Sequence, residues 1–128
     1  MNSHIEGANN SIDQNGTNAH VEGSNNYANG NSSHAEGEST HAVGAYSHSE
    51  GQSTSATGTA SHAEGRSSTA KGDYSHAEGK GTSANGINSH SEGVDTTATG
   101  KNSHAEGDST LAYGENAHAE GHNGIAHG

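Results

Sequence analysis

Small, polar and apolar positions along this chain repeat with a period of seven, doubled to 14, which neither an α-helix nor a lone strand produces. From residue 23 onward a glycine stands at every seventh position: Gly23, Gly30, Gly37, Gly44, Gly51, Gly58, Gly65, Gly72, Gly79, Gly86, Gly93, Gly100, Gly107, Gly114, Gly121 and finally Gly128. Two half-repeats alternate between these glycines. Ser33-His34-Ala35-Glu36-Gly37 gives way to Thr40-His41-Ala42-Val43-Gly44, then Ser47-His48-Ser49-Glu50-Gly51 to Thr54-Ser55-Ala56-Thr57-Gly58. Because the halves differ, the true repeat is 14 residues long. His-x-Glu-Gly begins at His4, His20, His34, His48, His62, His76, His90, His104 and His118. Only the step from His4 to His20 is two residues longer, which predicts a small bulge within residues 8–15.

Internal repeats are one structural unit each, stacked on its neighbours. Fourteen residues are too few for a helical hairpin, and each interior glycine would cost a helix about 1 kcal/mol. Helical solenoids and heptad coiled coils are therefore excluded. Two strands of four or five residues, each closed by a glycine-containing turn that needs a positive φ, account for the repeat. The expected fold class is thus all-β, a parallel β-roll or β-solenoid of about nine 14-residue coils with two short strands per coil. Stacked at about 4.8 Å per coil, nine coils make a rod about 43 Å long. Residues 1–128 read as a single array: 1–19 form a first coil with the two-residue insertion, and 20–128 form regular coils.

Period-two faces sort each strand. In the second strand the columns of Thr40, Ala42 and Gly44 stay small, while those of His41 and Val43 vary, so the small face is inside and the variable face in solvent. In the first strand neither face varies: Ser33, Ala35 and Gly37 are small, and His and Glu recur in every coil. The expectation is burial on both faces, one against the second strand and one beneath another chain. A thin roll with so little apolar content is poorly able to stand alone.

Composition by itself points elsewhere. The chain has no Phe, Trp, Pro or Cys, and a formal charge of -11. Such a composition reads as disordered, since too little apolar area is buried to offset chain entropy; the unbroken period opposes that reading. Four Lys and Arg cannot neutralise a phosphate backbone, so nucleic acid is excluded as a partner. No apolar run reaches the roughly 18 residues of a spanning helix, and no targeting signal is visible.

The pattern Ser-His-Ala-Glu-Gly-x-x-Thr-x-Ala-x-Gly-x-x-Ser, as in residues 33–47, resembles the head repeat of trimeric autotransporter adhesins, the YadA-like left-handed parallel β-roll. Similar Ser-His-Ala-Glu-Gly arrays look like repeats of phage tail fibres and of bacterial surface proteins. The resemblance covers essentially the whole chain. It implies left-handed winding, a homotrimer, and an extracellular, cell-surface or virion-fibre location. Where that family carries Val and Ile in the first strand, this chain carries His and Glu, so the likeness is to the frame rather than the filling.

That filling supplies the candidate chemistry. His4, Glu6, His20, Glu22, His34, Glu36, His48, Glu50, His62, Glu64, His76, Glu78, His90, Glu92, His104, Glu106, His118 and Glu120 are expected to form structural ladders. Within them His and Glu satisfy each other by hydrogen bonds, in place of an aliphatic core. Metal binding is the alternative, with His34, Glu36, His48, Glu50, His62, Glu64, His76 and Glu78 as candidate ligands. One site per coil would crowd cations about 4.8 Å apart, so no metal or other cofactor is expected. His41, His122 and His127 fall outside the ladder and are expected to be exposed.

Catalysis is not expected, because a nucleophile, base and orienting acid need one distinctive constellation, and every candidate here is repeated. The Gly-Gly-x-Gly-x-Asp motif of calcium rolls is missing. Ice binding would need a regular Thr face; Thr69 and Thr97 share the outward positions with His41, Leu111, Lys71 and Tyr113. Neither end carries a cap, which suggests a segment of a longer fibre or a subunit that joins end to end. The functional expectation is a non-enzymatic structural or adhesive fibre segment. Its partners would be copies of itself, as a homotrimer or filament, and a host surface or matrix component. The alternative is a self-assembling or metal-binding scaffold.

Overall fold

Residues 2–128 are described by the structure, a computed structural model. Each coil contributes one long strand, such as His34–Glu38, and one short strand, such as His41–Ala42. The long strands stack into one parallel nine-stranded sheet and the short strands into another, both in chain order. Register is kept residue for residue: His34 lies beside His48, Ala35 beside Ser49, Glu36 beside Glu50 and Gly37 beside Gly51. The result is a two-sided parallel β-solenoid with 14 residues per coil.

The chain turns where it adopts the left-handed conformation, at Ser39 (φ 58°) and Tyr46 (φ 60°) in this coil and at the equivalent positions throughout. At each such corner the direction of hydrogen bonding reverses. The Ser39 amide donates back to the Ser24 carbonyl (2.9 Å), whereas the His41 amide donates forward to the Thr54 carbonyl (2.9 Å). From Asn25 onward every corner residue is thereby tied to the preceding coil, which offsets the 1–2 kcal/mol typical of a non-glycine residue in this region. Asn and Asp, which tolerate it best, recur at the corners as Asn25, Asn88, Asp95, Asn102, Asn116 and Asn123.

The two glycine columns differ: the long-strand glycines have the positive φ expected, and those that follow the short strands, from Gly30 to Gly114, do not. Gly30, Gly44 and Gly58 open turns but are not left-handed; the left-handed residue lies two positions further on, at Ser32, Tyr46 and Ala60. Glycine is required at these points because successive coils touch. A Cβ on Gly44 would lie 2.0 Å from the Gly58 carbonyl oxygen, and one on Gly37 would lie 2.1 Å from that of Gly51. The long-strand glycines add a backbone requirement, with φ of 111° at Gly37.

Between the sheets there is room only for small side chains. Ala35, Thr40 and Ala42 are wholly buried, and Ser33 is 1% exposed. Buried hydroxyls bond locally: Ser33 Oγ donates to the Gly30 carbonyl (2.7 Å), and Ser49 Oγ pairs with Thr54 Oγ1 (2.8 Å). Val21 and Asn26 are the largest buried residues. Asn26 spans two coils, donating to the Glu22 and Gly37 carbonyls and accepting from the Thr40 amide. The interior is therefore a lattice of Ala, Ser and Thr. Histidine and glutamate do not fill it, contrary to the expectation of ladders in place of a core; they occupy the outer face of the long-strand sheet.

The two extra residues of the first coil fall in the turn after the short strand Ser11–Ile12. Ser11 pairs with Tyr27 and His4 with His20, so both strands keep their registers, and residues 13–15 replace the single Asn29 of the next coil. The Gly16 amide closes this wider turn on the Asp13 carbonyl (2.9 Å). The insertion is thus a turn at the end of the window predicted for a bulge.

Because Gly58 meets backbone rather than a flexible side chain, Gly58→Ala must force two coils apart. We expect a loss of at least about 3 kcal/mol in thermal or denaturant unfolding, the scale of severe overpacking. Gly121→Ala meets nothing within 4 Å and retains only the left-handed backbone strain, about 1–2 kcal/mol. Equal losses in the two variants would show that close approach is not the constraint.

Candidate functional site

His and Glu occupy the first and third positions of each long strand, and the intervening Ala or Ser points inward. Pleating therefore sends both acidic and imidazole side chains to one outer face, and in-register stacking repeats them coil after coil. From His34 to His118 the rings stack with centroids 4.6–4.9 Å apart and planes within 6° of parallel. The stack breaks at the first coil, where His4 meets His20 edge-on at 71°.

From His62 to His118 each ring nitrogen Nε2 sits between two carboxylates, its own and that of the preceding coil, whereas His4, His20, His34 and His48 face only their own. His62 Nε2 is 3.5 Å from Glu64 Oε2 and 3.8 Å from Glu50 Oε1; His104 Nε2 is 3.5 Å from both Glu106 and Glu92. These are ion-pair distances, too long for hydrogen bonds. Only His20 makes one within the ladder, to Glu22 at 3.2 Å. The Nε2 atoms of His34, His48, His62, His76, His90 and His104 are buried and lack a hydrogen-bond partner among the described residues. The mutual satisfaction expected of the ladder is thus not formed. The side chains as wholes are half-buried, about 35% exposed at His48, His62, His90 and His104. At the ends His4 and Glu120 open to 60% and 71%.

Beside the rings runs an open groove lined by the glutamates and the long-strand glycines, from Glu22 to Gly121. Its carboxyls bond to one another along the rod. Hydrogen bonds donated by protonated Glu64 to Glu78 and Glu50 push Glu64 up to about 7, and those donated by Glu92 to Glu78 and Glu106 do the same for Glu92. Between them, bonds from Glu64 and Glu92 hold Glu78 down at about 2. Raised carboxyls at Glu36, Glu64 and Glu92 thus alternate with lowered ones at Glu50, Glu78 and Glu106. Burial, followed by neighbouring imidazoles, lowers His62; burial likewise lowers His34, His76 and His104.

The ladder brings the candidate ligands together in four groups: His34, Glu36 and His48; His62, Glu64 and His76; Glu78, His90 and Glu92; His104, Glu106 and His118. In each, the ligand atoms lie within 4.8 Å of one another. Glu50 stands outside these groups, facing His62. His41, His122 and His127 are exposed and lie off the ladder; His122 approaches Asp108 at 3.4 Å and His127 stacks on Tyr113. The short-strand column of Tyr27, His41, Ser55, Thr69, Ser83, Thr97 and Leu111 forms no regular Thr array. Sequence reading missed Asn26. Its one signal is Asn, shared with Asn10 of the first coil, at a column then held by Thr40, Thr54, Ser68 and Thr82.

Protonation has opposing effects on stability. Glu64 and Glu92, raised from 4.5, stabilise the fold below pH 4.5 and lose that contribution as pH rises through about 7. The lowered histidines stabilise it above 6.5 and lose that as pH falls, and Glu78 loses its contribution as pH falls from 4.5 through about 2. The melting temperature is therefore expected to change little from pH 7 to 5 and to drop below about 4.5. The double variant Glu64→Gln/Glu92→Gln, which mimics the protonated ladder, should melt higher than the parent at pH 8. Identical melting at pH 8 would mean the carboxyls are fully solvated and independent.

A two-copy model of the YadA head domain repeat matches residues 49–75, 77–103 and 105–128. No curated protein sequence matches the chain.

Proposed function

The chain belongs to the family of YadA head domain repeats, and on that premise we propose that it is a structural and adhesive segment of a surface or virion fibre, wound left-handed and assembled as a homotrimer. The family is an adhesin structural domain rather than an enzyme family; its proteins form trimers and are surface-exposed. The observation that carries this reading is the unbroken in-register stacking of near-identical coils. Such an array offers one surface many times over and no singular catalytic constellation, which suits a shaft or a multivalent adhesive face.

The outer face of the long-strand sheet supports assembly with copies of itself. A row of half-buried imidazoles with unpartnered nitrogens costs solvation unless a neighbour covers or engages it. The outer face of the short-strand sheet and the exposed corner residues Tyr46 and Tyr74 stay free for a host surface or matrix component. Sedimentation velocity should give a particle of three times the 12.8 kDa chain mass and an elongated shape. A monomer at all concentrations would overturn the trimer. Failure of that trimer to bind immobilised extracellular matrix would limit the role to a shaft.

A further inference from the structure

We propose that the His-Glu ladder is a binding site for divalent transition cations of the zinc, cobalt and nickel class, each held by one imidazole, the carboxylate of its own coil and the carboxylate of the coil before. The donor geometry carries this. A tetrahedral cation with ligands at its usual distances separates its N and O donors by about 3.3 Å. His34 Nε2 and Glu36 Oε2 are 3.1 Å apart, and His48 and Glu50 are 3.5 Å apart. His62 lies 3.5 Å from Glu64 and 3.8 Å from Glu50.

The second observation is the nitrogens themselves. Six consecutive Nε2 atoms are buried with no hydrogen-bond partner, and ring stacking aims them all at the carboxylate row. In the tautomer with its proton on Nδ1 such a nitrogen offers its lone pair to an electrophile, and the formal charge of -11 favours a cation in that role. Mixed imidazole and carboxylate donors select zinc-like ions over calcium and magnesium, which prefer all-oxygen shells.

Geometry also sets the stoichiometry. Adjacent rings, 4.6–4.9 Å apart, cannot share an ion, because two ligands at about 2.1 Å reach at most about 4.2 Å. Ions on adjacent coils would stand about 4.8 Å apart and repel, so alternate coils fill. Nine coils then hold about four ions per chain, and the group of Glu78, His90 and Glu92 shows the donor set of one such site.

Equilibrium dialysis of the intact protein against micromolar zinc chloride, followed by elemental analysis, tests this. The expected result is about four zinc ions per chain, retained in a thousandfold excess of calcium. Replacing His34, His48, His62, His76, His90 and His104 together by Gln should reduce bound zinc at least fourfold, while His41→Gln/His122→Gln/His127→Gln should leave it unchanged. Cobalt(II) added to the unmodified protein gives a readout that does not depend on a variant folding, through the intense visible bands of tetrahedral coordination. Fewer than one zinc per chain, displacement by calcium, loss of zinc in the off-ladder variant, or only the weak bands of hydrated cobalt would each overturn the proposal.

Discussion

Backbone contact between successive coils at the glycine columns is the constraint on which the rest of the structure depends. With a Cβ 2.0 Å from the next coil's carbonyl at Gly44 and 2.1 Å at Gly37, no other residue fits without separating the coils. That contact fixes the in-register alignment, and the alignment then repeats every other side chain directly above its equivalent. Corners, interior and outer ladder are consequences of this one fit. The left-handed corner residues are tied to the coil before and the strands to the coil after, so no coil is bonded only within itself. Stability is accordingly collective, as in other solenoids.

Thinness follows from the same contact. Two sheets whose interior admits only Ala, Ser and Thr bury little apolar area per residue, and a buried methylene contributes only about 0.8 kcal/mol. Backbone ladders and close packing must supply the difference. Hydroxyls bonded to the local backbone, as at Ser33, Ser61, Ser75 and Ser103, let polar residues serve as filling, although Ser47, Thr82, Ser89 and Thr110 keep unpartnered hydroxyls. Composition that looks disordered in a list of residue types is thus suited to a roll only four small side chains wide.

Charge is the other product of stacking. Identical carboxylates placed one coil apart oppose each other's ionisation, so alternate members are raised and lowered, and burial lowers the imidazoles of His34, His62, His76 and His104 beside them. The frame of the YadA head repeat is kept, and a polar, acid-rich stripe stands where the family resemblance implies Val and Ile. Such a stripe is a feature that copies of the chain, or cations, can engage, and it repeats along the full rod.

The sequence by itself determined the coil. A period of 14, two half-repeats and invariant small columns require a two-strand solenoid, since sterics forbid glycine-rich helices and pleating sorts the faces of the short strand. It also named every member of the ladder, because a polar pair that recurs nine times is visible without coordinates. Only the tertiary structure decided what the glycines are for, because a 2.0 Å approach between residues 14 apart is not encoded in either residue's neighbourhood. Likewise, a first strand uniform on both faces left its orientation open; packing against the short-strand sheet placed Ala35 inside and His34 and Glu36 outside. The unsatisfied Nε2 atoms arise in the same way. Backbone spacing, set by hydrogen bonds between coils, fixes the rings at a distance from the carboxylates that side-chain chemistry alone would not have chosen.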